Sequence, residues 1–158
     1  MVQINSFGAK KISDIQVFEY SDTLSLPVNP VQYSKSHIGD VVQVGGLLGV
    51  LVTEIAPSAQ DQAKLGQDPK WNPLTKPTWG NNGPGYASVR ISGGVFKLQV
   101  ILTEAGVEPG TRIYAKPADN GRMVLTTDKT SGTAGLVGYA YSKITGTGAQ
   151  TVPVILAR

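Results

Sequence analysis

Cysteine is absent from the 158 residues, and histidine occurs once, at His37. Without thiols there is no disulfide framework and no thiolate metal site. One imidazole leaves metal clusters with several histidines, Ser-His-Asp triads and Cys-His dyads short of the residues they need. His37 lies in a polar turn and reads as a solvated side chain. A pair of carboxylates would suffice for acid–base work on a glycan. The acidic residues Asp40, Glu54, Glu104, Glu108, Asp119 and Asp128 are spread over turns, however, with no spacing that argues for proximity. The expectation is a protein that is not an enzyme and holds no cofactor or metal.

Charge is scarce too. Asp, Glu, Lys and Arg make up 16% of the chain, against an ordinary value of about 25%. A surface this poor in charge suggests that something other than water covers part of it. The net charge of +3 is carried by Lys and Arg scattered singly, too weak and dispersed for a nucleic-acid surface. No apolar run approaches a membrane span, and the opening MVQINSFGAKK lacks the apolar stretch of a secretion signal. The chain is therefore expected to be soluble, made in the cytoplasm, with neither nucleic acid nor membrane as partner.

What is abundant is glycine, at 19 residues, and proline, at 10. With many Thr and Val, they favour turn-rich β structure. The strongest signal is IGDVVQVGGLLGVLVTEI, from Ile38 to Ile55. Two apolar runs, Asp40–Val44 and Leu47–Ile55, fold back through Gly45-Gly46, a pair suited to a two-residue primed turn. The second run is apolar nearly throughout, as expected of a strand covered on both faces. Gly49 within it marks a bend or a close backbone approach. The GGLLG string is no phosphate cradle, because strand residues follow where a dinucleotide fingerprint opens a helix.

Around this centre the pattern repeats. Asp14–Tyr20 alternates, with Ile15, Val17 and Glu19 on one face and Gln16, Phe18 and Tyr20 on the other. Leu24 and Leu26 begin a strand that Pro27 and Pro30 confine to an edge. Tyr86–Ile101 reads as a hairpin turning at Gly93-Gly94, and Thr103–Gly110 as turn material. Arg112–Lys116 and Met123–Thr127 flank an Asn120-Gly121 turn. Leu136–Ile144 reads as one strand, with Tyr139 and Tyr141 on the same side, and Thr151–Leu156 as the last. Ser58–Leu65 is suited to two turns of helix between Pro57 and Gly66. The sum of about ten short strands is an all-β fold, a single small barrel or sandwich spanning residues 14–158 and built from hairpins.

Two segments stand outside that pattern. Residues 1–13 are polar and aperiodic, with the Lys10-Lys11 pair; they read either as a frayed end or as an arm that orders on a partner. Residues 56–85 form a long Trp- and Pro-rich loop insertion carrying Trp71 and Trp79. Its tryptophans either cover the protein's own β structure or form a contact surface for a partner.

Taken in order, GDVVQVGGLLGVLVTEI, GYASVRISGGVFKLQV, EPGTRIYA, AGLVGYAYSKI and VPVILAR resemble the DUF2190 family of phage capsid decoration (capsid-fibre) proteins. The resemblance covers residues 14–158, and the 56–85 insertion departs from the family's compact pattern. It implies a bacteriophage structural protein on the capsid surface of the virion, bound to the major capsid protein and homotrimeric. Lys10, Lys11, Phe18, Tyr20, Trp71 and Trp79 are then the candidate capsid or partner contacts. Two other readings stay open. One is a carbohydrate-binding module in which Trp71, Trp79, Tyr86, Tyr139 or Tyr141 stack on glycans. The other is an OB-like nucleic-acid binder, which the charge distribution disfavours.

Overall fold

Pairing of β-branched runs, antiparallel except between two barrel strands, builds two main sheets in the computed structural model, which describes residues 23–67, 78–119 and 121–157. The first has four strands: β1 (Thr23–Pro27), β2 (Val41–Val44), β3 (Leu47–Leu51) and β4 (Tyr86–Arg90), in the order β1-β4-β3-β2. An eight-residue helix, α1 (Ala59–Gly66), lies between β3 and β4. The second is a closed barrel of β5 (Val95–Leu102), β7 (Arg112–Asp119), β8 (Arg122–Thr126), β9 (Gly135–Ala140) and β11 (Gly148–Leu156), ordered β11-β5-β8-β7-β9. A two-stranded ribbon pairs β6 (Gly106–Val107) with β10 (Ile144–Thr145). The fold is all-β with a small barrel, as its composition and turns imply.

The central hairpin forms at the expected turn, with Val41 opposite Val50 and Val44 opposite Leu47, but its second strand stops at Leu51 and does not run on to Ile55. Only Gly45 takes a positive φ, 60°, so the turn needs left-handed freedom at its first central position alone. Gly49 is required for closeness. A Cβ there would lie 2.5 Å from Val89 Cγ1 and 2.6 Å from the Arg90 carbonyl oxygen, where β4 packs against β3. Edge strand β1 ends at Pro27, as its prolines dictate. The Val28 N–H donates to Gly85 O, so by alternation Pro27 turns its missing N–H away from β4.

The second expected hairpin is corrected. The chain does turn at Gly93-Gly94, both at φ 73°, but β4 and β5 do not pair. β4 bonds to β1 and β3, while β5 lies along β11 for eight residue pairs, so this turn carries the chain from one sheet into the other. The Leu136–Ile144 strand is likewise divided: β9 stops at Ala140, and Ile144 pairs with Val107, inside the stretch read as turn material. The third hairpin, β7–β8, forms as read, with a register shift between Lys116 and Asp119. Helix α1 also matches its signals. Ser58 caps it, its Oγ accepting the Asp61 N–H at 3.1 Å.

One apolar cluster spans both sheets. Val42, Val50, Leu51, Ala87 and Val89 from the first meet Val100, Ile113, Ala115, Val152 and Val154 from the barrel. The tip of the β7–β8 hairpin ties the two together. Gly121 O accepts the Lys35 N–H at 3.0 Å, and Arg122 Nη2 reaches Asp40 Oδ1 at 2.9 Å. No helix among the described residues is long and apolar enough to cross a membrane.

Candidate docking surface

The barrel wall is built by period-two alternation on β5 and β11, while β9 between β7 and β11 carries a register shift opposite Ile113 and Tyr114. Leu98, Val100, Leu102, Val152, Val154 and Leu156 point inward and are buried. The residues between them therefore face out. Cross-strand register then sets Arg112, Tyr139, Ile155 and Val95 in one row across β7, β9, β11 and β5. Ile155 is 38% exposed and Val95 48%. The next row holds Pro153 opposite Lys97, and the Tyr141 N–H donates to Pro153 O at 2.8 Å, bringing Tyr141, 59% exposed, alongside. The result is an outward apolar and aromatic surface with Arg112 and Lys97 at its margins. Gly138 lets β9 lie close against β11 at this place, since a Cβ there would strike the Ile155 carbonyl oxygen.

The base of the 56–85 insertion is built around Asn82. Its side-chain amide donates to Thr53 Oγ1 at 3.2 Å, Trp79 O at 2.7 Å and Ser88 Oγ at 3.1 Å, while its Oδ1 accepts from Ser25 Oγ. Backbone bonds from Glu54 N to Thr78 O, Ala56 N to Tyr86 O and Gly85 N to Ala56 O fasten both ends of the insertion to the four-stranded sheet. Trp79 is half-buried there, beside the four-stranded sheet and away from the barrel wall. Asn82 carried no sequence signal beyond lying in GNNGPG. The buried Tyr33 was likewise not foreseen. Its hydroxyl accepts the Gln43 N–H at 2.9 Å and donates to Gln43 O at 3.2 Å. Burial raises the pKa of this phenol, and the bond to the Gln43 backbone pulls the other way. The available clue was Asn29-Pro30, a turn-forming pair that starts the bend delivering Tyr33.

An open groove of about 560 Å³ runs between this base and the segment before β2, lined by Pro30, Pro57, Pro84, His37, Glu54 and Asp61 among others. His37 is exposed as read, with Nδ1 3.4 Å from Glu54 Oε2. Among the described residues no three His, Cys, Asp or Glu side chains converge to hold a metal ion.

Of the sequence candidates, Lys10, Lys11, Phe18, Tyr20 and Trp71 lie outside the described residues, as does the stretch Asp14–Tyr20 expected to be a strand. Trp79 lies in a turn bonded to Asn82 beside the four-stranded sheet, Tyr86 begins β4, and Tyr139 and Tyr141 lie on the barrel wall, so the described aromatics are spread over different elements. The outward residues Ile155, Val95 and Pro153 were read only as strand residues. Their common face needed the register of three strands distant in sequence. Searches of protein-family models, curated proteins and solved structures find no match to this chain.

Proposed function

We propose that this protein decorates the outside of an assembled phage capsid, binding the major capsid protein without catalysing a reaction, as a homotrimer. The observation that carries the reading is the row Arg112, Tyr139, Ile155 and Val95 on a closed barrel wall. Exposed apolar surface with polar margins marks protein contact sites, and Tyr and Arg are enriched in them. A barrel gives such a surface a fixed shape, so little ordering entropy opposes docking. The order of sequence motifs supplies the identity of the partner and the three-fold state. Residues 1–13, with Lys10 and Lys11, contact acidic residues of the shell in this reading.

The test mixes purified protein with expanded or DNA-filled capsids and images them. Bound density at symmetry positions is expected, and Ile155→Lys on the outer wall abolishes it without shifting the unfolding midpoint. Deleting residues 2–13 weakens binding with the same unchanged midpoint. Unbound capsids, or a hydrolase activity lost on replacing one carboxylate, overturn the proposal. The glycan reading rests on Tyr141, 59% exposed on the same side as Tyr139. Saturable oligosaccharide binding lost in Tyr141→Ala would favour it instead.

A further inference from the structure

The ladder between β5 and β8 holds two parallel residue pairs, Val100 with Leu125 and Ile101 with Thr126. Leu98 and Met123 come before it on their strands. With Leu125 and with Val41 of β2 they wall a cavity of about 150 Å³ where the barrel meets the four-stranded sheet. All of these wall side chains are buried. Ile101, Val124 and Arg122 also line it and are exposed, so the cavity opens to solvent on the side of β5 and β8. An apolar cavity of about this size is known to take one benzene ring. A ring seated there gains close dispersion contacts with the wall.

Among the described residues, the lining carries one cation, Arg122. Its Nη2 donates to Asp40 Oδ1 at 2.9 Å, and Asp40 Oδ2 accepts the His37 N–H at 3.1 Å. The Asp40 side chain is 16% exposed and that of Arg122 55%, so the carboxylate is the sunken, already bonded partner and the guanidinium the accessible one. An ion pair with so exposed an arginine adds little to stability, but it fixes where the guanidinium stands. A guanidinium has five N–H donors and accepts nothing. Those beyond the bond to Asp40 suit a carboxylate, whose two oxygens accept from the planar fork together. We propose that this cavity binds a small carboxylic acid bearing one aromatic ring or branched alkyl group, with the apolar part inside and the carboxylate on Arg122. The site goes beyond shell docking and does not depend on it. A ligand of about ten non-hydrogen atoms, held by one ring and one ionic contact, is expected to bind with a Kd of about 1 mM.

The chain has only two methionines, Met1 and Met123, so the Met123 methyl group is a reporter built into the cavity wall. Full-length protein with carbon-13 methionine methyls is titrated with phenylacetate and, separately, with toluene as the uncharged counterpart. Both are expected to shift the Met123 methyl resonance saturably, with nuclear Overhauser contacts from the ring to that methyl and with Met1 unmoved. Arg122→Ala is expected to weaken phenylacetate by about tenfold and to leave toluene unchanged, the toluene arm showing that the cavity survives the substitution. A Met123 methyl that phenylacetate does not move, or a shift that never saturates, overturns the proposal. So does an Arg122→Ala effect that is absent or equal for the two probes. The experiment contains no capsid, so its failure is distinct from a failure of shell binding.

Discussion

Gly49 shows how much one missing methyl group decides. The Cβ of an alanine would meet both a Val89 methyl and the Arg90 carbonyl oxygen, and the backbone oxygen cannot swing aside as a side chain can. Gly49→Ala is expected to destabilise by about 1–3 kcal/mol, as overpacking does, read as a lower urea midpoint at unchanged slope. Asp128 illustrates the opposite case, an exposed group with a local task. Its Oδ1 accepts the Thr130 hydroxyl at 2.6 Å and the Thr130 N–H at 2.9 Å, and the hydroxyl bond foremost holds its pKa below the ordinary carboxylate value. A folded-state pKa lower than the unfolded one means that the ionised form favours folding. That contribution is complete above the unfolded value and disappears as pH falls through the folded one. The Thr130 amide resonance should therefore titrate at a pH below that of a free aspartate, and Asp128→Asn should remove the step.

At the scale of elements, the β7–β8 hairpin joins the two sheets through its tip. Gly121 has φ 78°, and a Cβ on it would lie 2.5 Å from Ser34 Oγ and 3.1 Å from Lys35 N. Gly121→Val is expected to cost about 1–3 kcal/mol from backbone strain alone, with the crowding against Ser34 added to it. Arg122→Ala removes only an ion pair whose arginine is 55% exposed, and is expected to cost less than about 1 kcal/mol. Chemical unfolding of the two variants separates them. Equal losses would mean that the tip is held by charge and not by the fit of backbone against backbone.

Across the whole molecule, the four-stranded sheet and the barrel share one apolar cluster. Neither can open without exposing Val50, Leu51 and Val89 on one side or Val100, Ile113 and Val154 on the other. Unfolding is therefore expected as a single transition, with tryptophan fluorescence in a Trp71→Phe background reporting Trp79 beside the four-stranded sheet and far-ultraviolet dichroism reporting the strands of both sheets. Coincident curves support a common core. Two midpoints would show that the sheets are separate cooperative units.

Among the described residues, the residue pattern alone determined most of the extended stretches, the main turns, and the one short helix with its Ser58 cap, but not the short β6–β10 ribbon. These are local properties: side-chain alternation, the φ freedom of glycine, the missing N–H of proline. It also assigned inward and outward faces, as on β5, because a period of two leaves no choice once one side is apolar. Partner choice was another matter. The Tyr86–Ile101 stretch has every mark of a hairpin, yet β4 and β5 belong to different sheets. A Gly-Gly turn says that the chain reverses, not that the strands on either side bond to each other. Every strand offers the same N–H and C=O groups, so the choice between Ile155 and Ser92 as the neighbour of Val95 is settled only by how the whole apolar set packs. The outward row of Tyr139, Ile155 and Val95 exists only once that choice is made, and tertiary structure alone decided it.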